Sequence, residues 1–175
     1  MKYFKKIIGE HVYLSPMNPD DGEIYVKWLN DPEIVKYLSA HNSLISIVGE
    51  KEYLENYSKK EFHLCIVKLD NDELLGNIAL DNIDYKSGTA ELGIFIGNTN
   101  NLSKGYGSEA IKLLTDYAFN HLRLHSIYLY TLDSNERAQK AYKKCGFKEF
   151  GRRHESMFID GKYHDLVCME LINKK

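Results

Sequence analysis

The stretch that decides the fold is Asn101–Ala110, NLSKGYGSEA. Two glycines, Gly105 and Gly107, stand one residue apart behind Lys104, and helix-forming sequence follows. Glycine lets a backbone approach a ligand closely. The first N–H groups of a helix point outward, and with the positive end of the helix dipole they make an anion site. A lone G-x-G is more often a tight turn, so the pair needs context. Two phosphate-binding patterns can be tested by spacing. A P-loop requires GxxxxGK[ST], and no glycine here is followed by Lys-Ser or Lys-Thr. A dinucleotide fingerprint requires GxGxxG near a first strand, whereas this loop lacks the third glycine and lies in mid-chain. Neither fits.

Working outward, TAELGIFI (Thr89–Ile96) leads into the loop as a strand. Its period of two puts Ala90, Leu92, Ile94 and Ile96 on one face and Glu91, Gly93 and Phe95 on the other. After the loop, SEAIKLLTDYAFNHL carries Ala110, Ile111, Leu114, Tyr117 and Ala118 at helical spacing, from a helix start near Gly107. SIYLYTL is a compact strand. NERAQKAYKKCG places Ala138, Ala141, Tyr142 and Cys145 on one helical stripe, with Gly146 where a helix ends. Two strands close the chain, around 152–159 and 162–171, and Asp160-Gly161 between them is a two-residue hairpin signal.

Upstream of the loop, FHLCIVKL and ELLGNIAL read as strands separated by turn-forming residues. HVYLSPM is a first strand, Asp20–Leu29 a helix with Ile24, Trp28 and Leu29 on one side, Asp31-Pro32 the restart of a short second one, and Glu50–Tyr57 another turn or two of helix. The order is α/β in content, better described as α+β: an antiparallel-rich mixed sheet with helices packed on it.

The 175 residues suffice for one domain, 1–175, with a sizeable core. The 23 basic and 25 acidic side chains leave a formal charge of −2, which gives no electrostatic footprint for nucleic acid. Cys65, Cys145 and Cys168 are odd in number and lack a CxxC pair, so neither a disulfide framework nor a zinc site is expected, and the setting read from them is cytoplasmic. The seven histidines show no HExxH spacing, and no metal is implied. No segment reaches the ~18 apolar residues of a membrane span.

Tyr142 by itself reads as core. The string N-E-R-A-Q-K-A-Y-K-K-C-G-F, one strand after the glycine loop, changes that. Together with WLNDPEIVKYL, LLGNIAL, AELGIFI, KGYGSEA, LLTDYAFNHLRLHSIYL and the closing FIDGKYHDLVCMEL, it makes the chain resemble the GNAT superfamily of acetyl-CoA-dependent N-acetyltransferases. The nearer likeness is to the branch with RimJ/RimL-type ribosomal-protein and spermidine acetyltransferases. The resemblance implies a mixed, mostly antiparallel sheet of about seven strands splayed in a V, with about four helices.

It also implies a site. The pantetheine contacts of the family map onto the backbone of Ile94, Phe95 and Ile96, and its pyrophosphate loop, [QR]xxGx[GA], onto Leu102, Ser103, Lys104, Gly105, Tyr106 and Gly107, with Ser108 as a further backbone donor. Leu102 departs from the pattern, which removes one side-chain contact. Asn135 matches the asparagine facing the cofactor and Tyr142 the tyrosine beside the thioester sulfur. Tyr142 is the expected acid for the departing thiolate, because a phenol with a pKa of about 10 is protonated at neutral pH.

Glu91, a carboxylate in an apolar strand, is the candidate base; a solvated strand face is the competing reading, and a water relay is common in similar enzymes. Cys145, on the apolar stripe, reads as packing rather than as a nucleophile. Trp28, Tyr37 and Phe158, with Glu91, are the acceptor-side candidates, in segments that also offer Asn30, Asp31 and Tyr163, and aromatic walls with a few acids suit a cationic amine such as a polyamine, a peptide N-terminus or an aminoglycoside; for Trp28 a core role is the stronger reading. The function expected is acetyl transfer from acetyl-CoA to a primary amine in a ternary complex. A non-catalytic acyl-CoA sensor on the same fold is the alternative, disfavoured by the presence of both Asn135 and Tyr142. Similar proteins are commonly dimers, which leaves a homodimer open.

Overall fold

The structure is a computed structural model and describes residues 2–174. The strands and helices are β1 (Ile7–Ile8), β2 (Val12–Pro16), α1 (Gly22–Leu29), α2 (Pro32–Val35), α3 (Ile47–Tyr57), β3 (His63–Lys68), β4 (Leu74–Asp84), β5 (Thr89–Ile96), α4 (Tyr106–Asn120), β6 (Ser126–Leu132), α5 (Glu136–Lys144), β7 (Lys148–Ile159) and β8 (Lys162–Ile172). Short 3-10 turns precede α1 and α4. The strand order is β1-β2-β3-β4-β5-β6-β8-β7, a mixed sheet in an α+β fold. Eight strands replace the seven expected, because β1 is a two-residue strand against Tyr13 and Leu14, too short to leave a period in sequence. Five helices stand where the resemblance implies about four: the short α2 behind the Asp31 cap, read in the sequence as a restart at Asp31-Pro32, is the one beyond that count, and α3 begins three residues earlier than its apolar pattern, behind the Ser46 cap.

The chain divides into two compact units. The first runs to Ala79 and takes in Ile94–Leu114. Its core is Tyr3, Tyr13, Met17, Tyr25, Trp28, Leu54, Cys65, Val67 and Leu74, with Phe95 packed against it. Asp21, fully buried at the foot of α1, accepts from the Tyr3 hydroxyl and pairs with Lys2 at 2.5 Å, which ties the first residues to the core.

The second unit is Leu80–Gly93 with the chain from Thr115 onward. Here β5 runs parallel to β6 from Thr89↔Ser126 to Glu91↔Tyr128, and β6 pairs antiparallel with β8 along its whole length. The β7–β8 hairpin turns on Asp160 and Gly161, both with positive φ (48° and 79°), as an Asp-Gly two-residue turn requires. Ile127, Leu129, Leu124, Ala118, Val167 and Met169 fill this unit's core. Gly146, at φ 95°, ends α5 as its sequence position suggested.

Candidate active site

In the first unit, β5 delivers its last three residues to the glycine loop. Ile94, Phe95 and Ile96 are half-buried. Phe95 lies edge-on to Trp28 with ring centroids 6.0 Å apart, and Trp28 in turn meets Tyr25 at 5.4 Å. A Cβ on Gly97 would strike the Trp28 ring at 2.0 Å, so Trp28 is packed hard under the strand end. Trp28 is buried and its observed contacts are packing, in line with the core reading of its helix stripe.

The loop itself is built by short-range bonds. Asn98 accepts from the N–H of Asn100, Leu102 N–H donates to Thr99 carbonyl, and the buried Asn101 amide donates to Glu73 at 3.1 Å. Ser103 and Gly105 both take positive φ, 60° and 91°. The first intrahelical bond of α4 runs from Glu109 N–H to Gly105 carbonyl, so the N–H groups of Tyr106, Gly107 and Ser108 come ahead of the ladder. Glu109 anchors this helix start by accepting from the backbone N–H groups of His11 and Val12.

The two glycines differ. Gly105 needs its positive φ. Gly107 does not have one, and a Cβ there would make ordinary contacts with Ile94 and Ile96 at 3.7 Å. The protein's own backbone and packing place no demand for glycine at 107. The helix start makes a backbone-donor site of the kind that takes an anion. Leu102, half-buried with extended backbone, offers it no polar atom from its side chain.

In the second unit, Tyr142 is buried on α5 and its ring lies 6.1 Å from that of Phe147. Burial, with a smaller contribution from Cys145, pushes its phenol up to about 12, so the hydroxyl holds its proton throughout the neutral range. Asn135 is the N-cap of α5, accepting from Ala138 N–H at 3.2 Å. Gln139, which sequence reasoning missed, donates to the carbonyls of Leu132 and Asp133 and fixes the turn between β6 and α5. The helical spacing of Gln139 four residues after Asn135 is the signal that could have found it.

Glu91 is half-buried on the face of β5 opposite Ala90 and Leu92, both buried. Asn82 of β4 donates to its Oε2 at 2.9 Å. Of the acceptor-side residues, Tyr37 is half-buried with the Lys36 ammonium 5.3 Å from its ring, and Phe158 is exposed beside Tyr163 in the β7–β8 hairpin. Asn30 and Asp31 have structural tasks: Asn30 bridges Val26 and Ile45, and Asp31 caps α2. Among the described residues no disulfide joins the cysteines, no group of three metal-ligating side chains is placed to hold a metal, and no helix is long and apolar enough to cross a membrane.

The comparisons with known proteins agree with this reading. Residues 11–148 match the family model described as "Acetyltransferase (GNAT) domain". The chain is 30% identical over 155 residues to the spermidine N(1)-acetyltransferase of Vibrio cholerae, covering 83% of this chain and 89% of that protein. It is 32% identical over 175 residues to a Bacillus subtilis protein named "Probable N-acetyltransferase YjcK", covering 94% and 96%. Among solved structures, the crystal structure of spermidine N-acetyltransferase from Vibrio cholerae in complex with CoA and spermine superposes with a TM-score of 0.80 at 26% identity, covering 92% of this chain and 95% of that one. The chain belongs to the GNAT family of acetyltransferases, and its chemistry is the acetyl-CoA-dependent N-acetylation of an amine.

Proposed function

We propose that the chain acetylates a cationic primary amine of the polyamine class, by direct attack of the amine on acetyl-CoA, with both units serving as one acetyltransferase domain. The family match runs through both units, and the relatives named for spermidine support the acceptor class. In this reading the backbone of Ile94–Ile96 holds the pantetheine arm, the N–H groups from Ser103 to Ser108 hold the pyrophosphate, and Asn135 faces the cofactor. The amine nitrogen bonds to the thioester carbon as the carbon–sulfur bond breaks. The amine proton leaves through Glu91, directly or by way of water, and an N–H of Ile94–Ile96 stabilises the oxyanion. Tyr37 and Phe158 serve the acceptor side, while Trp28 serves it from beneath by supporting Phe95.

The single observation that carries the mechanism is the buried Tyr142 phenol, pushed up to about 12. The phenol is therefore protonated at neutral pH and has a proton to give to a thiolate. Tyr142 is the acid of this reading: its O–H proton passes to the departing thiolate to give the coenzyme A thiol, and solvent returns a proton to the phenolate as the products leave. Thiol release from acetyl-CoA, measured against spermidine, N-terminal peptides and simple monoamines, tests the function. Release with spermidine is the expected result, and binding of acetyl-CoA with no release for any amine returns the chain to the sensor reading. A cytoplasmic setting and a homodimer complete the proposal; the odd, widely spaced cysteines without a CxxC pair support the first, and sedimentation of the purified chain tests the second.

A further inference from the structure

The side of β5 and β6 turned away from the second unit's core carries a cluster to which the mechanism above gives no task beyond Glu91. Glu91 lies level with Tyr128 in the parallel register, so both side chains project to the same side. Tyr130 follows on that side, 38% exposed, with its ring 5.8 Å from that of Tyr128 and nearly perpendicular to it. The residues that alternate with them, Ile127 and Leu129, are buried on the opposite side. Asn82 holds a φ of 50°, a conformation non-glycine residues rarely take. From this position within β4 its amide donates to Glu91 Oε2 at 2.9 Å and also reaches the Tyr128 hydroxyl.

From these placements, and resting on the reading of the chain as an amine acetyltransferase, we infer that Glu91, Tyr128 and Tyr130 form the seat for the acceptor's ammonium group. Asn82 is the positioning residue that holds the Glu91 carboxylate toward it. A carboxylate between aromatic faces is what binds an alkylammonium ion: the charge pairs with the oxygen and the ring faces attract the cation. Among the described residues no Lys, Arg or His pairs with Glu91, whose recorded partner is the neutral Asn82 amide. The next strand adds to the same field, since Glu170 of β8 stands level with Tyr128, with Lys148 of β7 level with it in turn, and the buried Cys168 stands level with Tyr130. The Tyr128 hydroxyl is raised above its ordinary pKa, by burial first and by the Glu91 charge second, so the ring remains neutral beside a cation.

The test uses spermidine, an alanine-initiated peptide and n-butylamine, with thiol release for KM and calorimetric titration in the presence of coenzyme A for Kd. Tyr130→Ala is expected to raise the KM and Kd of the best-bound amine about fivefold, the factor one cation–π contact supplies. Tyr130→Phe, which keeps the ring, stays within twofold of wild type. Asn82→Gly, which keeps the backbone conformation and removes the amide, also raises the amine KM, while the acetyl-CoA KM stays within twofold in all three variants. Unchanged amine KM and Kd in Tyr130→Ala and Asn82→Gly overturns the seat while the enzyme reading stands. An equal rise in acetyl-CoA KM, or wild-type protein that binds none of the three amines, overturns it too. If no amine releases thiol, the enzyme reading fails, and the calorimetric difference between Tyr130→Ala and Tyr130→Phe still decides the seat.

Discussion

The glycine loop of the first unit and the outer face of β5 and β6 in the second are built by opposite means. The loop from Leu102 to Ser108 makes its offer with main-chain N–H groups, and its own side chains contribute little: Leu102 is apolar, Lys104 is exposed, and Gly105 and Gly107 have none. The outer face offers side chains, a carboxylate, an amide and two phenols drawn from three strands. The loop should therefore tolerate most substitutions that keep its path and fail when something is added. The second unit should respond to the loss of single atoms.

The largest effect follows from one oxygen. Tyr142→Phe keeps the ring against Phe147 and removes the hydroxyl, so kcat is expected to fall at least 100-fold, the lower range for a positioned acid. The acetyl-CoA KM is expected to move less than threefold. With the phenol at about 12, the wild-type pH–rate profile gains no alkaline limb from Tyr142 below about pH 11. Near-wild-type turnover in the variant would remove Tyr142 from the chemistry.

Next comes a buried carboxylate of the first unit. Glu50 on α3 is buried, its Oε1 lacks a hydrogen-bond partner among the described residues, and burial raises it from 4.5 to about 7. Since the folded value lies above the ordinary one, the folded state binds its proton more tightly. The stability this gives is present below pH 4.5 and drains away as pH rises through 7. Glu50→Gln should accordingly raise stability at pH 8 by about 1–3 kcal/mol, several degrees in Tm, and by nothing near pH 4.5. Equal melting temperatures at pH 8 would mean that Glu50 has a partner when charged.

The two glycines separate folding from binding within the loop. Gly105→Ala forces a side chain into φ 91° and should lower stability by about 1–2 kcal/mol. Gly107→Ala meets Ile94 and Ile96 at ordinary distance and sits in the first turn of α4, so the melting temperature holds or rises slightly. Its acetyl-CoA KM should nevertheless rise about tenfold, because the added methyl group occupies the approach to the helix N–H groups. A Gly107→Ala enzyme with wild-type acetyl-CoA KM would leave the loop as a turn.

The same division decides what could be read in the chain. The loop was legible because a backbone device needs residue types in a fixed order, and Gly105, Gly107 and the start of α4 stand next to one another. SIYLYTL was legible to the residue, since β6 spans Ser126–Leu132. Glu91 stood out as a carboxylate in an apolar strand. Asn82, Tyr128 and Tyr130 did not, because their meeting depends on the β5–β6 register and on a positive φ at Asn82 that no local pattern announces. Trp28 carried two readings in one helix stripe, and only the contact with Gly97 and Phe95 shows how tightly it is packed. Asn30 and Asp31 stood in the acceptor-side segments, but both are used by the chain itself, Asn30 in bridging Val26 and Ile45 and Asp31 as the cap of α2.

The smallest effect bears on the loop's one departure from the family pattern. Leu102 has extended backbone, its N–H is already committed to Thr99, and its side chain is half-buried without a polar atom. A glutamine or arginine there keeps the backbone path and adds a donor beside the site inferred for pyrophosphate. One such hydrogen bond, net of desolvation and side-chain ordering, is worth about 0.5–1 kcal/mol. Leu102→Gln and Leu102→Arg should therefore tighten acetyl-CoA two- to fivefold, with the gain for arginine shrinking as salt is added, because its share is electrostatic. The amine KM should not follow, since the outer face of β5 and β6 draws on other residues. If neither variant tightens acetyl-CoA, the backbone path of the loop does not run beside the phosphates, and the division between a main-chain cradle and a side-chain seat loses its first half.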